Sequence, residues 1–103
     1  MAQYTILYWQ EIPSLVEVRQ GRKRHKVLLS ERFQELIDKV AMRKGLFGTD
    51  NYLGEWRRGK SLSRDGSPEE VVHQVAAEIE SDYGAIEERA MKGAAEAWAK
   101  SDR

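Results

Sequence analysis

Cysteine is absent from this chain of 103 residues, and histidine occurs only twice. The first absence removes disulfides, thiolate metal sites, cysteine-ligated iron–sulfur clusters and a cysteine nucleophile together. It also fits a reducing compartment. Proline is scarce, with two residues, and no apolar run approaches the length of a membrane-spanning helix. The opening stretch MAQYTILYWQEIP has no basic region, only a short apolar run and no small-residue cleavage site. No signal peptide is therefore expected, and the cytoplasm is the expected location. Net charge is missing as well, because 17 Lys/Arg balance 17 Asp/Glu. The balance conceals an asymmetry: residues 1–66 hold 13 basic against 8 acidic side chains, and residues 67–103 hold 4 against 9. The two halves either attract each other within one fold or present two interaction faces of opposite sign.

With 41% hydrophobic and 33% charged residues, the chain has the apolar surface for one core and the charge for helices with solvated faces. A soluble globular protein is expected. YTILYW, Tyr4 to Trp9, is β-branched and aromatic, which favours a strand, and its two apolar sides suggest coverage on both faces. Pro13, lacking an N–H, is expected to end regular pairing. In VEVRQGRKRHKV, Val16 and Val18 alternate with Glu17 and Arg19, and Gly21 supplies a residue able to take positive φ. A hairpin is expected here, and with Gln20-Gly21 as the loop Glu17 would lie opposite Arg24.

SERFQELIDKVAMRKG carries helix punctuation: Ser30 to cap, Glu31 at the positive end of the dipole and Gly45 for a left-handed terminus. Phe33, Leu36, Ile37, Val40 and Ala41 form its apolar stripe. TDNYLGEWRRG suggests a short helix of about two turns stopped at Gly59, although its aromatics also suit a strand. KSLSRDG is an edge strand or a polar loop. SPEEVVHQVAAEIESDY places Ser67 as cap, Pro68 at the first helical position and Glu70 to complete a capping box, with Val71, Val72, Val75, Ala76, Ile79 and Tyr83 inward. The alanine-rich remainder continues the helix past Gly84 or restarts after it, with Ile86, Ala90, Ala94 and Trp98 on a weak stripe.

These elements predict an α+β fold, a small mainly antiparallel sheet of a β-hairpin plus the N-terminal strand, over 3–9, 15–19 and 23–29. Two or three amphipathic helices, the first two near 31–44 and 68–83, cover one face. Residues 1–83 are expected to form the domain and 84–103 a helical C-terminal extension.

For catalysis the inventory is thin. His25 falls on a strand and His73 on a helix, and Ala77 stands where an H-E-x-x-H motif needs its second histidine. Glycine patterns for phosphate loops and dinucleotides are missing, so the chain is expected not to be an enzyme and to need no cofactor or metal. Five Lys/Arg between Val16 and Val27 could lie along phosphates, but a chain without net positive charge argues against nucleic acid. Lys and Arg on a hairpin edge also discourage edge-to-edge aggregation. A protein partner is the expected one, with no membrane. Its candidate contact residues are Arg19, Arg22, Lys23 and Arg24 on the hairpin and Trp9, Tyr52, Trp56, Arg57 and Arg58 beside the loops, a Trp, Tyr and Arg set of the kind enriched in interface hot spots.

Along YWQEIP, VRQGRKR, ERFQELIDKVAMRKG, TDNYLGEWRRG and DGSPEEV the chain resembles a small bacterial family, the virulence factor domain. The resemblance runs from about Tyr4 to Tyr83. It rests on Tyr8-Trp9 with Glu11-Ile12-Pro13, Arg19 with Gly21-Arg22, Arg32-Phe33, Ala41-Met42, and Thr49-Asp50 leading to Tyr52-Leu53 and Trp56-Arg57. It implies a stand-alone bacterial protein, or one part of longer virulence factor C-like proteins that also carry HEAT-type repeats and an iron–sulfur-scaffold-like domain. It also implies the company of corrinoid-dependent one-carbon enzymes, hence an accessory subunit of a methyl-transfer system as an alternative to an interaction or assembly module. It transfers no catalytic residue.

Overall fold

The computed structural model describes residues 2–46 and 48–101, with the side chains of 96–101 excepted. Three long strands open the chain, β1 (Ala2–Trp9), β2 (Ile12–Gln20) and β3 (Lys23–Leu28), followed by α1 (Glu31–Arg43). A five-residue helix α2 (Asp50–Gly54) leads into two short strands, β4 (Trp56–Arg58) and β5 (Leu62–Arg64). The chain ends in α3 (Pro68–Ser81) and α4 (Tyr83–Ser101). All strand pairs are antiparallel, in the order β3-β2-β1-β4, and β5 also pairs with β1. The expected α+β fold is what the chain adopts, with a sheet two strands larger than the alternation indicated.

The β2–β3 turn differs from expectation by one residue in the loop. Gly21, at φ 61°, and Arg22 form the loop, so Gln20 pairs with Lys23, Val18 with His25 and Glu17 with Lys26. Glycine takes the first central position of a two-residue hairpin loop, where positive φ is needed and a side chain is strained. Glu17 accordingly lies opposite Lys26 and not Arg24. Pro13 does not end the pairing either. It sits inside β2 opposite Tyr8, beside the irregularity after Leu7, where a bulge tolerates a residue without an N–H.

The segment expected as a two-turn helix stopped at Gly59 is helical only to Gly54. Trp56, Arg57 and Arg58 then pair with Trp9, Tyr8 and Leu7. The aromatic and basic side chains here serve an edge strand, because β1 offers a free ladder that a second helical turn could not satisfy. The Gly59 N–H continues this ladder to the Ile6 carbonyl at 2.9 Å.

The end of α1 and the start of α3 follow their punctuation, and the start of α1 does not. At the end of α1, Gly45 takes φ 70°, its N–H donates to the Met42 carbonyl and the Leu46 N–H to the Ala41 carbonyl, the paired bonds of a Schellman motif. Ser67 Oγ accepts from the Glu70 N–H at 3.2 Å and donates to the Glu70 carboxylate at 3.1 Å. Ser30, expected to cap α1, makes no side-chain cap. Its hydroxyl donates instead to Glu80 Oε1 at 2.8 Å and its N–H to Glu80 Oε2 at 2.7 Å, while Arg32 donates to the same carboxylate. A carboxylate from α3 thus ties down the start of α1.

Desolvation pushes the Glu80 carboxyl up, but the hydrogen bonds from Ser30 and Arg32 outweigh it and hold the pKa below the ordinary carboxylate range. A carboxyl with a depressed folded pKa stabilises the fold above its unfolded pKa, and that contribution is lost as pH falls through the folded value. Glu80→Gln should therefore lower the Tm at neutral pH by the equivalent of about 1–2 kcal/mol, a figure kept small because Arg32 is exposed. The gap from the natural chain should close in acid. A Tm–pH series with parallel curves would contradict this.

The core joins Val16 and Val18 of β2 to Val71, Val72, Val75 and Ala76 of α3, with Phe33, Leu36, Ile37, Val40 and Ala41 of α1 and Ile86, Ala90 and Ala94 of α4. These are the stripes that helical spacing indicates; the Trp98 side chain lies outside the described residues. Phe33 meets Tyr83 edge to face with centroids 5.1 Å apart, and the Arg32 guanidinium stacks 4.4 Å over the Tyr83 ring.

β1 is central in the sheet, but it is not covered on both faces. Tyr4 and Ile6 share the α3 side with Val16 and Val18, whereas Thr5 and Leu7 lie on the opposite side with Glu17 and Leu15. That second side keeps Thr5, Leu7 and Leu15 only half-buried.

Candidate functional site

Cross-strand register decides which candidate residues meet. Directly paired residues share a face, so Arg19 and Arg24, Glu17 and Lys26, Leu15 and Leu28, and Leu7 and Arg58 all project from the uncovered side of the sheet. Glu17 stands at its centre and is the buried charged residue of the described chain, 8% exposed. Lys26 Nζ and Arg58 Nη1 each approach its carboxylate to 3.5 Å. Both cations remain exposed, so these ion pairs position Glu17 more than they stabilise the fold.

Around that centre the face is basic and apolar. Leu28 is 76% exposed, an apolar side chain left in water beside half-buried Leu15. Arg19 faces Arg24 directly across the ladder, and among the described residues no carboxylate pairs with either. Like charges directly opposite each other disfavour the pairing they sit on.

The remaining candidate residues separate. Trp9 is fully buried: its indole N–H donates to the Tyr52 carbonyl at 2.8 Å, and its ring lies 5.5 Å from that of Tyr52, which meets Trp56 edge to face. These aromatics fasten α2 to the end of β1, and only Tyr52 and Trp56 keep partial exposure. Arg57 and Arg58 are neighbours on β4 and so point to opposite sides. Arg22 occupies the hairpin loop, and Lys23 pairs with Gln20 on the side away from Arg24.

On the α3 side of the sheet lies a groove that sequence reasoning missed. It encloses about 740 Å³ between β1, β4 and the Gly59–Leu62 segment on one wall and α4 on the other. Tyr4, Ile6, Tyr8 and Ile86 form its floor, with Arg57, Lys60, Arg89 and Lys92 around it. A smaller depression of about 270 Å³ adjoins it toward Asp82 and Glu78. Glu78 is held by Arg64, whose guanidinium donates to it at 2.6 and 2.9 Å and keeps its carboxyl below the ordinary range. The i, i+3 spacing of Arg89 and Lys92 was a signal, but in isolation such a pair reads as a solvated helix face.

His25 is half-buried on β3 and His73 exposed on α3. Among the described residues, no three His, Asp or Glu side chains are grouped to hold a metal ion. Nor is any described helix long and apolar enough to cross a membrane.

No curated protein matches the chain, and no solved structure does. The model of the Virulence factor family matches residues 7–91, from the end of β1 into α4. That span holds β2 to β5 and all of α1 to α3, well over half of the sequence, and the chain belongs to the Virulence factor family.

Proposed function

We propose that this protein is a non-enzymatic protein-interaction module that docks an acidic partner on its uncovered sheet face. The observation that carries the reading is the Arg19–Arg24 pair, two unneutralised cations held opposite each other beside exposed Leu28. A carboxylate-bearing surface seated there relieves the repulsion and covers the leucines in one step. Lys26 and Arg58 extend the basic field, and buried Glu17 holds both in place. The dispersed histidines and the empty catalytic inventory of the sequence support a binding role over a chemical one.

The test is affinity capture from the native cell extract with the natural chain and with Arg19→Glu/Arg24→Glu. Both side chains are exposed, so the fold should persist. The expected result is an acidic protein retained by the natural chain and weakened about tenfold or more by the reversal, measured again with purified partner. Unchanged capture would reject the surface. Nucleic acid retained in its place, with steep salt dependence, would reject the partner class.

A further inference from the structure

The groove between the sheet and α4 is independent of that reading and points to a small ligand. Its volume, about 740 Å³, lies within the roughly 300–1,000 Å³ of small-molecule sites, and its aromatic floor with a few polar groups is their usual lining. The α4 wall from Ile86 to Gly93 covers only about 10 Å at 1.5 Å per residue, which is short for a docked helix.

Charge narrows the class. Arg57 and Lys60 stand on the sheet wall and Arg89 and Lys92 on the α4 wall, with Glu11 the single carboxylate among the residues lining the main groove. Among the described residues, none of these four cations forms an ion pair. The Arg57 guanidinium is held 4.9 Å over the Tyr8 ring, which orients its donors while leaving them unclaimed by a carboxylate. Four cations around one groove, without ion pairs among the described residues, ask for a ligand with several negative charges.

The floor adds the second requirement. A Cβ on Gly59 would lie 2.9 Å from Tyr8 Cε2, so the missing side chain lets the tyrosine ring settle against the backbone. Gly93 leaves the facing α4 wall open, its absent Cβ lying 3.6 Å from Glu11 Oε1. Half-buried Tyr4, Ile6 and Tyr8 make an apolar floor for a ring system; Arg57 lies over the Tyr8 ring and Arg64 5.5 Å over the Tyr4 ring, so a flat ligand packs on Ile6 and the edges of the two tyrosines.

We propose that this groove binds a nucleoside polyphosphate, its base against Ile6 and the edges of Tyr4 and Tyr8 and its phosphates between Arg57 and Lys60 on one side and Arg89 and Lys92 on the other. The phosphates are gripped by side-chain cations, so the site needs none of the glycine-rich loops that the sequence lacks. No reaction of the ligand is implied.

Calorimetric titration of the whole protein with ATP, tripolyphosphate and adenosine tests this. ATP should saturate the site, and tripolyphosphate and adenosine, each lacking half of the recognised chemistry, should bind at least about tenfold more weakly. Arg89→Gln/Lys92→Gln should weaken ATP by about tenfold or more without changing the Tm, because both side chains are exposed. Gly93→Leu, which fills the groove from α4, should block ATP. Arg19→Glu/Arg24→Glu should leave ATP binding untouched, which separates this site from the partner face. Failure of ATP to saturate in the millimolar range, tripolyphosphate binding as tightly as ATP, or unaltered binding in the Arg89/Lys92 and Gly93 variants would each overturn the proposal.

Discussion

Trp9→Ala should lower unfolding free energy by about 3–5 kcal/mol, the range for emptying a buried aromatic site. Small domains hold about 5–15 kcal/mol in total, so this variant should stand at or near the edge of folding. The size of the effect follows from position. The indole is wholly inaccessible, its ring contacts Tyr52, and its N–H ties the Tyr52 carbonyl to the end of β1. Removing it opens a cavity and releases α2 at once. Trp9→Phe isolates the second part: it keeps most of the volume but loses the N–H, and should cost about 1–3 kcal/mol. Urea unfolding followed by far-ultraviolet circular dichroism measures both. A loss below about 1 kcal/mol for alanine would place Trp9 outside the core.

Gly59→Ala is the second large effect expected, about 1–3 kcal/mol, and its cause is overpacking. The new methyl would meet Tyr8 Cε2 at 2.9 Å and the Ile6 carbonyl oxygen at 3.4 Å. The ring must swing outward, taking the stacked Arg57 with it. Gly54→Ala is the matched control. It has no neighbour within 4 Å of its added Cβ and ends a short helix, so it should be neutral or stabilise by about 0.4–1 kcal/mol. A loss at Gly54 as large as that at Gly59 would show that the Tyr8 contact does not set the effect.

Local signals carried much of the architecture. The alternation of Val16 and Val18, the i, i+3, i+4 stripe from Phe33 to Ala41, and the Ser67-Pro68-Glu70 start of α3 each report a periodicity or a cap that needs no distant partner. What escaped depends on distant partners. Trp56 to Arg58 becomes a strand because β1 has a vacant ladder, and nothing within TDNYLGEWRRG announces that vacancy. Ser30 has the chemistry of a cap, but Glu80 arrives from α3 to claim its hydroxyl. The candidate surface divided for a similar reason. Strand pleating sends Arg57 and Arg58 to opposite sides, and a helix tip closes over Trp9, so the candidate residues are divided among the groove, the basic face and the core. The groove floor was invisible because Tyr4 and Tyr8 become a site only when α4 stands across from them.

The pairing of β1 also imposes an order on self-assembly. One of its edges is taken by β2, a neighbour in sequence, so the β1–β2–β3 meander can close through short loops. The other edge waits for β4 and β5, whose partners Leu7↔Arg58 and Ala2↔Arg64 lie about fifty to sixty residues apart and carry a larger loop-closure entropy. Until that second ladder forms, β1 exposes a row of unpaired backbone N–H and C=O groups along an apolar, aromatic strand, the kind of edge that recruits strands from other chains. The two three-residue strands β4 and β5 therefore act as a late-arriving guard, and conditions that loosen them should show first as aggregation, before any loss of helix.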